Sequence, residues 1–178
     1  MKLFKTLFST HAEKAAKLLQ PALDERKKLA DLHLWQAELR ATHERLRAAA
    51  HREATPQALE AAAAAAHRLD SSFVVYQSTV QTSNERVAGT LAPSKAEILA
   101  LLDAVASDFG KRANDAVAKH KRELDEAGAE GVSAEIPLAG ILRAKGKEAN
   151  YHAQTVSNSD DGKGSEAALA WIVENAAK

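Results

Sequence analysis

Two apolar tracks with the three-four spacing of a helix seam, lying on either side of one turn signal, constrain this 178-residue chain more than any other feature. Leu59, Ala62, Ala66, Leu69, Phe73, Tyr76, Val80, Ser83 and Val87 form one track, in which only Ser83 carries a polar aliphatic side chain. Ala22, Leu29, Leu32, Leu39, Leu46 and Ala50 form the other, interrupted by Glu25, Gln36 and His43. Midway between them, Thr55 followed by Pro56 reads as a helix cap with proline in the first helical position. Folded back near Ala54, the tracks run antiparallel, with Leu46 facing Ala62, Leu39 facing Leu69, Leu32 facing Tyr76 and Leu29 facing Val80. The spacing predicts helices over 21–53 and 56–88.

Pro21 lacks a backbone donor, so residues 10–19 are expected as a separate short helix capped by Ser9 or Thr10. Gly89 and Pro93 are expected to end the second long helix, and Ser94-Lys95-Ala96-Glu97 to open a third with a capping box. Along that third helix Ile98, Leu102, Val105, Phe109, Ala113, Ala116, His120, Leu124 and Ala127 repeat with an eleven-residue period, which keeps a seam nearly straight. Six of the eight glycines fall in 128–178, where Gly140 and Gly146 weaken any helix over 138–156. Residues 132–137 read as extended, 158–164 as a loop, and Ser165 starts a short terminal helix. The fold class is therefore all-α: a long antiparallel helical hairpin with a third long helix packed along it, and a looser C-terminal subdomain. The division follows as 1–127 for the helical part and 128–178 for the glycine-rich remainder.

Hydrophobic residues make up 46% of the chain but aromatic residues only 4%, because alanine supplies much of the rest. That mixture favours closely approaching helices over a deep pocket. Lys plus Arg equals Asp plus Glu at 24 each, so no global field recruits nucleic acid. The basic group Lys119-His120-Lys121-Arg122 is flanked by Asp115, Glu123, Asp125 and Glu126 and reads as an internally paired helix face. The absence of cysteine removes disulfides, thiolate metal sites and cysteine nucleophiles. With no long apolar run or secretory leader in view, the expected compartment is the cytoplasm.

Residues 71–84 carry no charge on any face of their predicted helix: Ser72, Val74, Val75, Gln77, Ser78, Thr79, Gln81 and Thr82 occupy the positions outside the seam. A solvated helix normally carries Lys and Glu there. Burial among neighbouring helices, a contact between copies of the chain, or a strand built from the β-formers over 73–82 would each account for it.

No motif names a chemistry. Di-iron bundles need Glu-x-x-His pairs, which do not occur, and the Glu148/His152 and His43/His67 pairs are two-ligand sets. There is no calcium loop, phosphate loop or Gly-x-Ser-x-Gly elbow. No catalytic residue, cofactor or metal ligand is assigned.

In the N-terminal segment, a helix would place Leu3, Phe4, Leu7 and Phe8 on one face with Lys2 and Lys5 beside them, a pattern suited to docking on a bundle or to shallow insertion into an anionic bilayer. A short basic amphipathic segment followed by a long helical hairpin resembles the layout of the phage-shock-protein A and ESCRT-III membrane-remodelling families, which implies a membrane-surface role as one reading. The reading adopted is a non-catalytic helical interaction or assembly protein, partnered by itself or by another helical protein. Its expected contact residues are Phe4, Leu7, Phe8, Val75, Ser78, Thr79 and Thr82. The alternatives are a peripheral membrane protein using the N-terminal segment and a metal-dependent helical enzyme using His43, His67 or His152.

Overall fold

The computed structural model describes residues 2–128, 136–159 and 162–176, with 2–9 as backbone alone. Among the described residues the chain is all-α, with no strand: α1 (Lys2–Glu53), α2 (Pro56–Leu91), a 3-10 turn (Ala92–Ser94), α3 (Lys95–Glu126), α4 (Pro137–Asn158) and α5 (Lys163–Ala176). Contacts group the chain into two compact units, one of residues 21–87 and one of 1–20 with 88–178.

The unit of residues 21–87 is the antiparallel hairpin. Gln36 Nε2 donates to the carbonyl of Ser72 at 3.1 Å, Arg26 Nη1 to Asn84 Oδ1 at 2.8 Å, and the His33 and Tyr76 rings lie 5.8 Å apart. These pairs follow the register read from the sequence. At the turn, Ala54 ends α1 at a positive φ of 47°, its N–H donating to Ala50 O, and Thr55 Oγ1 accepts from the N–H of Ala58 to cap α2. Residues 73–82 lie inside α2, as the helix predicted over 56–88 requires, and the alternative of a strand there is not formed.

On α1 the expected seam turns inward together with its polar interruptions Glu25, Gln36 and His43, all buried or half-buried. On α2 the track keeps Ala62, Ala66, Leu69, Tyr76, Val80, Ser83 and Val87 buried or half-buried and departs from the seam at Leu59 and Phe73. Ala65 and Ser72 are buried, while Leu59 and Phe73 stand exposed. At this height the contact across the seam is polar, Ser72 meeting Gln36.

Pro21 neither ends nor restarts a helix, and 10–19 is not a separate element, because α1 runs through Pro21. The cost is one missing hydrogen bond and some crowding of the preceding turn. Burial of Leu19 and Ala22 on either side opposes it.

In the second unit, Ala12, Ala15 and Leu19 of α1 are buried, and His11 Nε2 lies 3.4 Å from Asp108 of α3. Gly89 does not end α2, which continues to a buried Leu91. Ser94 makes no capping bond. The 3-10 turn runs directly into α3 and its Ala92 carbonyl takes the N–H of Lys95, so the capping box is not needed. Ile98, Leu102, Val105, Phe109 and Ala113 are buried as expected, whereas Ala127, the last of the eleven-residue track, is exposed. α3 packs mainly against α4 and also against α5.

The C-terminal region is less loose than its glycine content suggests. α4 carries both Gly140 and Gly146, and its buried Ala139, Leu142, Ala149 and Val156 form a continuous apolar face. Packing outweighs propensity here. A Cβ on Gly146 would sit 3.6 Å from Ala106 O, so α4 and α3 come close at this point. α4 extends to Asn158 and α5 begins at Lys163, which shortens the expected loop. Gly162 has φ of 75° and lies so near Ala88 that a Cβ would fall 2.7 Å from Ala88 Cα. The extended segment expected at 132–137 lies mostly outside the described residues, but Pro137 opens α4.

Candidate interaction surface

The register of the hairpin sets Leu34 of α1 level with Val74 of α2, and Trp35 level with Phe73. All four are exposed, as is Val75, with Leu34 at 64% and Val74 at 69%. Seam residues Gln36 and Ser72 occupy the interior at the same height. Five large apolar side chains thus form a belt around the middle of the hairpin, where a solvated pair of helices would carry charge.

The hydroxyls beside this belt are already used. Ser78 Oγ donates to Val75 O at 3.0 Å, Thr79 Oγ1 to Val75 O at 2.7 Å, Thr82 Oγ1 to Ser78 O at 2.9 Å and Ser71 Oγ to His67 O at 2.8 Å. Each hydrogen turns back onto the helix's own carbonyls, so another surface can cover this face without stranding a donor.

Two depressions open between α1 and α2. One, of about 260 Å³, is lined by Trp35, Leu39, His67, Arg68, Ser71, Ser72 and Val75. The other, of about 190 Å³, is lined by Glu25, Lys28, Leu29, Ser78, Thr79, Thr82, Ser83 and Arg86. In the second, Lys28 Nζ donates to Glu25 Oε1 at 2.6 Å and Arg86 Nη1 lies 3.9 Å from the same oxygen. The hydrogen bond from Lys28, with the charges of Lys28 and Arg86, holds the Glu25 carboxyl below the usual carboxylate range against the opposing effect of burial. The Ser83 hydroxyl, buried beside it, acts in the same direction as a weak donor toward the carboxylate.

Of the contact residues expected from sequence, Val75 is exposed on the rim of the larger depression, and Ser78, Thr79 and Thr82 line the smaller one. Phe4, Leu7 and Phe8 belong to the first turns of α1, and their side chains lie outside the described residues. Trp35 and Leu34 were not anticipated. Their signal was present, since both are large apolar residues placed off the seam of α1. Phe73 was assigned to the seam and stands outside it.

Glu148 and His152, considered as a ligand pair, both meet Trp171. Glu148 accepts from Lys145 Nζ at 2.8 Å and from Trp171 Nε1 at 3.1 Å, and the His152 ring lies 5.3 Å from that of Trp171. His67 stands on the rim of the larger depression, its Nδ1 3.4 Å from Ser71 Oγ. Among the described residues no three His, Asp or Glu side chains converge to hold a metal ion, and no helix is long and apolar enough to cross a membrane. No family model matches the chain, and neither the curated proteins nor the solved structures contain a match.

Proposed function

We propose that this is a non-catalytic, cytoplasmic helical assembly module that associates with copies of itself through the middle of its hairpin. One observation carries the reading: Phe73, Val74 and Val75 are exposed within a stretch of α2 that has no charge, and Leu34 and Trp35 of α1 are exposed at the same height. Large apolar side chains exposed at one height on both helices of a pair mark surface that is covered in use. The saturated hydroxyls at Ser78, Thr79 and Thr82 support it, because covering them leaves no donor unpaired.

Val75→Glu tests the reading. The position is exposed, so the hairpin folds with its helicity unchanged, and the molar mass by light scattering falls to that of one chain. A wild-type mass retained by this variant would move the contact away from the belt.

A further inference from the structure

Ser72 points into the seam of the hairpin, so its sequence neighbours emerge on opposite flanks of α2, at 100° to either side. Ser71 lines the larger depression together with Trp35, Leu39 and Val75. Phe73 stands on the other flank and is 43% exposed. One face of the hairpin therefore carries a hole of about 260 Å³, and the opposite face carries an exposed aromatic ring at nearly the same height.

We propose that the hairpins stack side by side, Phe73 of one copy entering the depression beside Trp35 and Val75 of the next. The inference rests on the self-association reading and adds to it which faces meet. Charge sets the register. The rim of the depression bears the basic residues His67 and Arg68, and Asp70 precedes Phe73 by three residues. Seating Phe73 opposite Ser71 of the next copy brings Asp70 opposite Arg68, since both pairs are separated by three residues, about 4.5 Å along a helix. The offset that fits the ring is the offset that pairs acid with base. The occupant is a second copy because hole, ring, acid and base all lie on one hairpin, on complementary faces.

Such a contact is heterologous. Only the copy at each end of an assembly keeps an unused face, so chains add at both ends unless the rotation per copy closes a ring.

Complementation tests this. Val75→Glu spoils the hole and leaves the ring; Phe73→Glu removes the ring and leaves the hole. Both positions are exposed, and circular dichroism confirms that each variant folds. Each variant alone is expected to run as a single chain, and their equimolar mixture as a one-to-one dimer, by sedimentation velocity. Arg68→Asp should weaken wild-type association about fivefold, as expected for one surface ion pair, and Asp70→Arg in the same chain should restore it. If the wild-type chain associates but the mixture stays monomeric, or if either variant alone keeps its association, the pairing of faces is wrong and self-association stands. A wild-type chain that stays monomeric at every concentration overturns both.

Discussion

Gln36 of α1 reaches across the hairpin and donates to the backbone carbonyl of Ser72 at 3.1 Å, with the Ser72 hydroxyl 3.4 Å away. A carbonyl whose helical N–H partner is already in place accepts this second bond on its remaining lone pair. A polar residue at a seam position thus ties the two helices in one register, because sliding by a turn would leave the Gln36 amide among apolar side chains.

Gln36→Leu removes that bond and keeps the volume. The expected effect is a loss of about 1 kcal/mol in urea unfolding, the usual net worth of a partly buried hydrogen bond. An unchanged midpoint would mean that the apolar contacts alone hold the register.

At the tip of the hairpin, Ala54 adopts a left-handed conformation with φ of 47°. For a residue with a Cβ this costs about 1–2 kcal/mol, and glycine avoids it. Ala54→Gly is therefore expected to raise stability by about 1 kcal/mol at an exposed site. A destabilised variant in the same unfolding assay would contradict the turn geometry.

Two glycines are predicted to respond in opposite directions. Gly162 has positive φ and no room beside Ala88, so Gly162→Ala should lose about 2 kcal/mol or more. Gly110 lies within α3 with open space around its missing Cβ, so Gly110→Ala should gain about 0.5–1 kcal/mol. Thermal unfolding of the pair checks both, and equal responses would refute the placement of Gly162.

The α4–α5 contact should weaken in mild acid. Burial lowers the pKa of His152 below its ordinary value of 6.5, against an opposing pull from the Glu148 carboxylate. A histidine with a depressed folded pKa takes up its proton more readily in the unfolded chain, so its neutral form supports folding. That support is complete above 6.5 and is lost as the pH falls below it. Glu148 is held low by bonds from Lys145 and the Trp171 indole, so its own support persists to more acidic pH. His152→Gln should flatten the fall in stability between about pH 7 and 5, read by chemical unfolding with Trp171 fluorescence. An unaltered slope would place the titrating group elsewhere.

Much of the hairpin was legible from residues alone. The α1 seam, including its interruptions at Glu25, Gln36 and His43, and the turn at Thr55-Pro56 were readable because periodicity and capping are local signals. On α2 the track departs from the seam at Leu59 and Phe73, which stand exposed. Ranking by apolarity placed Phe73 inside, whereas Ser72 is the buried residue and takes the bond from Gln36 across the seam. Pro21 and Gly146 misled for a common reason, since intrinsic propensity opposes a helix at both and tertiary packing outweighs it. Trp35 escaped notice because a single aromatic off the seam gains meaning only when the register brings it level with Phe73.

The central claim is that the uncharged belt around Trp35 and Val75 joins copies of this chain. Sedimentation equilibrium across a wide range of concentrations tests it most directly. The account predicts an average mass that rises with concentration above the 19.1 kDa of one chain. A mass of 19.1 kDa at every concentration would contradict it.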